Sequence, residues 1–233
     1  MSQAKKVIVT GASSGIGKAT SKLLLDNGYH VIGIARRQPE ISHDNFQALT
    51  CDLADLKRLP AFLDTLVKDH PQIDALVCNA GRGQFGSLEE FSYDQIKDLM
   101  AINFTSHAYM ARAILPGMKR QKAGRLIFMG SEAALQGSRM GSIYCASKFA
   151  IRGLTQALRD ECSKSGIQVS LINPGMVKSD FFHDLSFCHG EEETHHIEVT
   201  DVARAVQFII ESRQGTVIDE INLSPLKHVV QAK

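Results

Sequence analysis

The stretch Thr10–Gly17 reads TGASSGIG and completes an apolar run, KVIVT, that begins at Lys6. Three glycines, Gly11, Gly15 and Gly17, crowd the point where this run gives way to a helical pattern. Glycine carries no Cβ and accepts left-handed backbone angles, so the main chain there can come close to something bulky. A helix opening near Ser14 aims unpaired N–H groups and the positive end of its dipole at the same point. A loop built from these glycines with Ser13, Ser14 and Ile16 would suit a phosphate on both counts. The spacing matches neither G-x-G-x-x-G nor the loop that ends in Gly-Lys-Ser/Thr, and glycines of this kind also serve plain packing of a helix on a strand. The rest of the chain has to decide between a phosphate cradle and packing alone.

Working outward, short β-branched runs recur at KVIVT, HVIGIA, FQALTC, DALVC, RLIFMG, IQVSLIN and DEINLS, most of them separated by stretches of helical period. The runs are nearly continuous in apolar residues, which predicts strands buried on both faces: a doubly wound α/β fold with a seven-stranded parallel sheet flanked by helices on both sides. Helices are expected over 15–27, 56–68, 92–122, 142–165 and 200–212, with Pro116 kinking the end of the third and Thr200 capping the last. The 233 residues, 44% hydrophobic and without a linker of Pro, Gly and Ser, read as one domain over 1–233.

Composition excludes several partners. With 26 basic and 25 acidic residues interleaved, the net charge of +1 offers no field to recruit nucleic acid or an anionic membrane. No apolar run approaches the roughly 20 residues that span a bilayer, and MSQAKKVIVTG enters a strand too early for a secretory leader. Five cysteines lack any C-x-x-C spacing, so a cytoplasmic chain with a small-molecule partner is expected, and Cys78 reads as a core residue.

In such a sheet, ligands bind beyond the carboxyl ends of the strands. After the second run comes Ala35-Arg36-Arg37, without the acid that grips the ribose of a non-phosphorylated nicotinamide cofactor. Arginine offers a permanently charged fork suited to a 2′-phosphate, although a solvated arginine pair has the same sequence. Asp52 is placed to bond an adenine amino group, Leu53 to cover its ring, and Asn79-Ala80-Gly81 gives another close approach. After the fifth run, Tyr144 and Lys148 stand four apart and share a helical face. An ammonium beside a phenol favours phenolate, which predicts a tyrosine pKa below the usual ~10 and a tuned proton donor and acceptor. Ser131, at a strand end, can hold a substrate oxygen.

TGASSGIG, Asp52-Leu53, Asn79-Ala80-Gly81, Asn103 within INF, Ser131, the YCASK that holds Tyr144 and Lys148, and Asn173-Pro174-Gly175 together resemble the short-chain dehydrogenase/reductase family over nearly the whole chain. The resemblance implies an oxidoreductase that interconverts a carbonyl and a secondary alcohol, with NADP(H) favoured and NAD(H) possible. Tyr144 would be the general acid/base, and Lys148 would bind the nicotinamide ribose and depress the tyrosine pKa. Ser131 would polarise the carbonyl, and Asn103 would hold a water that links Lys148 to solvent. Pro174, Gly175, Val177 and Ser179 would line the nicotinamide end. The family's paired helices imply a homodimer or homotetramer. Three positions depart from its pattern: Ser179 replaces the usual threonine, Ser14 replaces a basic residue seen in some 2′-phosphate binders, and the last strand runs into SPLKHVVQAK in place of DGG.

The segment 179–199, SDFFHDLSFCHGEEETHHIEV, is expected either to form a substrate lid, with Phe181 and Phe182 facing a small apolar substrate, or to pack a short helix on the core. Glu191–Glu193 with His195 and His196 read as a solvated loop, not a metal site. Two rival readings remain: a non-catalytic NAD(P)-binding redox sensor or scaffold, and an NAD-dependent alcohol dehydrogenase. Retention of Ser131, Tyr144 and Lys148 argues against the first, and Ala35 with Arg36 against the second.

Overall fold

The computed structural model describes residues 4–233; Met1–Gln3, on which the leader argument partly rests, lie outside the described residues. The expected strands form as β1 (Lys6–Thr10), β2 (His30–Ala35), β3 (Phe46–Thr50), β4 (Ala75–Cys78), β5 (Gly124–Met129), β6 (Ile167–Pro174) and β10 (Glu220–Leu223), in the sheet order β10-β6-β5-β4-β1-β2-β3. Every pairing in this sheet is parallel. All residues of β4, β5 and β6 are buried, while the edge strands β3 and β10 are half-exposed. This is the burial that continuous apolar strands require.

Alternation along each strand divides the interior into two cores. Ile8, Ile32, Leu76, Leu126 and Phe128 face one way, against α2 (Leu59–Asp69), α4 (Ser106–Gln121) and α5 (Ser142–Ser163). Val7, Val9, Val31, Val77 and Ile127 face the other, against α1 (Gly15–Asp26) and α6 (Val199–Glu211). None of the described helices is long and apolar enough to cross a membrane.

The structure corrects three local expectations. The helix expected over 92–122 divides into α3 (Tyr93–Met100), a π turn at Ala101–Thr105, and α4. The break therefore lies ahead of Pro116, and α4 runs on past that residue to Gln121. The cap of α6 is Glu198, which forms a reciprocal capping box with Asp201; Thr200 lies inside the first turn.

The segment 179–199 is neither one helix nor a free loop. Its base is a parallel pair, β7 (Val177–Lys178) with β9 (Ile197–Glu198). Its outer part, β8 (Phe187–His189), pairs antiparallel with β11 (Val230–Ala232) in the C-terminal segment. Lys227 N–H donates to Thr194 O at 2.9 Å, Lys233 N–H to Ser186 O at 2.8 Å, and the Lys233 ammonium donates to Phe182 O.

Candidate active site

The loop that opens α1 folds as its glycines dictate. Gly11 and Gly15 have φ of +72° and +51°, a left-handed geometry that side chains resist. A Cβ on Gly11 would lie 2.8 Å from Asn79 Nδ2, whereas one on Gly15 would meet nothing nearer than Ser179 Cβ at 3.6 Å. Packing therefore accounts for Gly11, while Gly15 stands at an open helix N-terminus. Thr10 joins the two loops: its hydroxyl accepts from the N–H groups of Asn79 and Ala80, at 2.8 and 3.0 Å, and Asn79 Nδ2 donates to Thr10 O at 2.9 Å.

Tyr144 and Lys148, one turn apart on α5, are both buried beside Ser131, which follows β5. Lys148 Nζ lies 5.8 Å from the centre of the tyrosine ring and donates to Met129 O at 3.0 Å. Burial drives the tyrosine pKa up to about 12; the Ser131 hydroxyl pulls it down, and Cys145 and Glu132 add to the rise. Burial lowers Lys148 to about 8. The depressed phenol expected from Tyr/Lys spacing is thus corrected, because desolvation outweighs the hydrogen bond from Ser131. At neutral pH the site presents a protonated phenol beside a cation and a hydroxyl, an arrangement able to donate a proton to an oxygen held there.

Asn103, in the π turn, is fully buried. Its Oδ1 accepts from Arg82 N–H at 3.0 Å, and its Nδ2 donates to Arg82 O at 3.0 Å and Ser147 Oγ at 3.2 Å. The side chain thereby braces the loop after β4 against α5, and both of its amide hydrogens are engaged. His107, one turn further on, donates from Nε2 to Ala80 O at 2.7 Å, and burial lowers its pKa to about 3, so it stays neutral. Asn173 accepts from Ser131 N–H at 3.3 Å and donates to Glu220 Oε1 and Asn222 Oδ1; Glu220 in turn pairs with Arg152 at 3.2 Å.

The remaining residues divide into open and closed positions. Arg36 and Arg37 are exposed just past β2, and Asp52, also exposed, accepts from Ala54 N–H at 3.0 Å. Leu53 is 2% exposed and packs within the core. Pro174 and Val177 are likewise buried, Gly81 is exposed, and Ser13, Ser14, Ile16 and Gly175 are partly open. Ser179 caps the short turn Asp180–Phe182 by accepting from Phe181 N–H at 3.4 Å. Phe181 lies 6.0 Å from the Tyr144 ring, whereas Phe182 is buried behind it. Phe85, 5.0 Å from Tyr144, was not expected; its only signal in the sequence is its place just after Asn79-Ala80-Gly81. Thr10, His107, Arg152 and Glu220 act across the fold and leave no local pattern.

Comparison with known proteins agrees with this arrangement. Residues 5–187 match the short chain dehydrogenase family. The chain is 30% identical over 235 residues to an uncharacterized oxidoreductase of Staphylococcus saprophyticus, covering 95% of this chain and 96% of that one. It is 32% identical over 184 residues to a 3-oxoacyl-[acyl-carrier-protein] reductase of Vibrio harveyi, covering 76% and 75%. Among solved structures, a metagenomic short-chain oxidoreductase in complex with NADP superposes with a TM-score of 0.79 at 27% identity, over 95% of this chain and 96% of that one. A match across most of the chain, on a sheet of the same architecture, makes this protein a member of the short chain dehydrogenase family.

Proposed function

We propose that this chain is an NADP(H)-dependent oxidoreductase that interconverts a carbonyl and a secondary alcohol on a small apolar substrate, with Tyr144 as general acid/base. The observation that carries the reading is the buried set of Tyr144, Lys148 and Ser131 at the carboxyl edge of the sheet, where ligands of open α/β sheets bind. The left-handed Gly15 at the open start of α1 fits a phosphate, and exposed Arg36 and Arg37, with no acid after β2, fit a 2′-phosphate. The NADP bound in the metagenomic relative supports the same choice.

When bound, the nicotinamide supplies hydride to the carbonyl carbon. Ser131 donates a hydrogen bond to the carbonyl oxygen and orients it. Tyr144 gives that oxygen its proton as negative charge develops, and the Lys148 cation stabilises the phenolate left behind. In the oxidative direction Tyr144 takes the proton back. Segment 179–199 acts as the lid, with Phe181 toward the substrate. The five free cysteines suit a reducing cytoplasm, and Phe149, 44% exposed on α5, suits a helix face covered by a second copy in a dimer or tetramer. The test is NADPH oxidation by the purified protein against a panel of ketones, aldehydes and 3-oxoacyl esters, with Tyr144→Phe as the inactive control.

A further inference from the structure

We infer that the preferred substrate is a flat aryl carbonyl, and that Phe85 is the residue that selects it. This inference rests on the proposed reduction by Tyr144 and narrows it to one chemical class.

Five rings close a circuit of contacts that includes the acid. Tyr144 meets Phe85 at 5.0 Å, Phe85 meets Phe187 at 5.0 Å, Phe187 meets Phe182 at 5.9 Å, Phe182 meets Phe181 at 5.1 Å, and Phe181 returns to Tyr144 at 6.0 Å. They come from three separate parts of the chain: the loop after β4, α5, and the segment after β7. The contacts are edge-to-face or tilted, the arrangement aromatic quadrupoles favour. A carbonyl that presents its oxygen to Tyr144 would meet Phe85 and Phe181, the two rings against the phenol, with Phe182 and Phe187 packed behind them.

Three features hold these walls in place. Gly83 admits Phe181, since a Cβ there would lie 2.6 Å from Phe181 Cζ. Gly86 N–H donates to Met140 O at 2.7 Å, which ties the Phe85 loop to the residues ahead of α5; Met140 holds a left-handed φ of +63°. On the far side, pairing of β8 with β11 fixes Phe187. A preorganised wall discriminates better than a mobile one, because ordering it on binding costs nothing further. An aromatic ring gains from each such partner a factor of roughly twofold to tenfold beyond its area. A saturated ring of equal carbon count lacks that gain and is thicker than the planar one.

The reaction balances as before: hydride from NADPH forms the new C–H bond, the proton of Tyr144 forms the O–H bond, and water restores the phenol. The test compares acetophenone with cyclohexyl methyl ketone, which share a skeleton and differ in aromaticity. With NADPH in excess, the parent is expected to show kcat/KM at least about tenfold higher for acetophenone. Phe85→Leu is expected to lower that ratio by about fivefold to tenfold while binding NADPH like the parent by fluorescence, which also reports that the variant is folded. A parent that prefers the saturated ketone overturns the inference, as does a folded Phe85→Leu protein with the parent's ratio. If no carbonyl of the wider panel is reduced, the proposed function itself falls; if other carbonyls are reduced without aryl preference, only the substrate class falls.

Discussion

Raising the pH from about 7 to about 10 titrates Lys148 and spares Tyr144, because burial places the lysine at about 8 and the tyrosine at about 12. The sign follows directly. Lys148 is charged below its pKa, and in the proposed mechanism that charge stabilises the phenolate formed as Tyr144 gives up its proton, so carbonyl reduction should be fast at low pH and slow as the lysine deprotonates. The separation of 5.8 Å between Nζ and the ring centre sets the size. With an effective dielectric of about 20, a unit charge at that distance is worth about 3 kcal/mol, or about a hundredfold in rate. The assay is kcat/KM for NADPH-dependent reduction in buffers of constant ionic strength. The expected curve is level below about pH 7 and falls about tenfold per unit above about pH 8, toward a floor near one hundredth of the maximum. Lys148→Met should sit at that floor across the range, without the break. A parent profile level to about pH 10, or a Lys148→Met protein that keeps the break, would refute the assignment of the cation to this role.

Three further outcomes are expected. Arg36→Ala should raise the KM for NADPH about tenfold to a hundredfold more than that for NADH, since a hydrogen bond to a charged group contributes roughly 1.5–3 kcal/mol; an unchanged cofactor ratio in steady-state kinetics would move recognition elsewhere, Arg37 first. Deleting residues 227–233 removes the partner strand of β8 and the Lys233 bonds to segment 179–199, so limited proteolysis should cut within 183–195 several times faster and, if that segment is the proposed lid, the KM for the carbonyl should rise more than that for NADPH; an unaltered digest would show that the strand pairing does not hold the segment. Light scattering at micromolar concentration should report a dimer or tetramer, and a monomer alone would remove α5 as an assembly face.

Much of this architecture could be read from the chain because it depends on local pattern. Continuous runs such as IQVSLIN betray burial on both faces, and the two cores follow from their alternation. Tyr144 and Lys148 were legible as a pair because helical spacing fixes their side. Their protonation was not: the ring that desolvates Tyr144 from the other side, Phe85, lies far away in sequence. The π turn at Ala101–Thr105 escaped for a similar reason, since a slipped hydrogen bond leaves the apolar periodicity of 92–122 almost unchanged. Leu53 followed a motif, while its burial in one core with Leu59 and Leu63 depends on residues beyond that motif. The pairing of β11 with β8 joins two three-residue strands, each too short to signal itself and dependent on the other to form.

The most direct measurement of the central claim is turnover by Tyr144→Phe, which removes one hydroxyl and leaves the ring with its neighbours. Reduction of any carbonyl the parent accepts should fall by at least about a hundredfold, the lower end of general acid–base contributions, while NADPH affinity by fluorescence titration stays within about threefold of the parent. A Tyr144→Phe protein that binds NADPH normally and reduces the same carbonyl at close to the parent's rate would contradict the account.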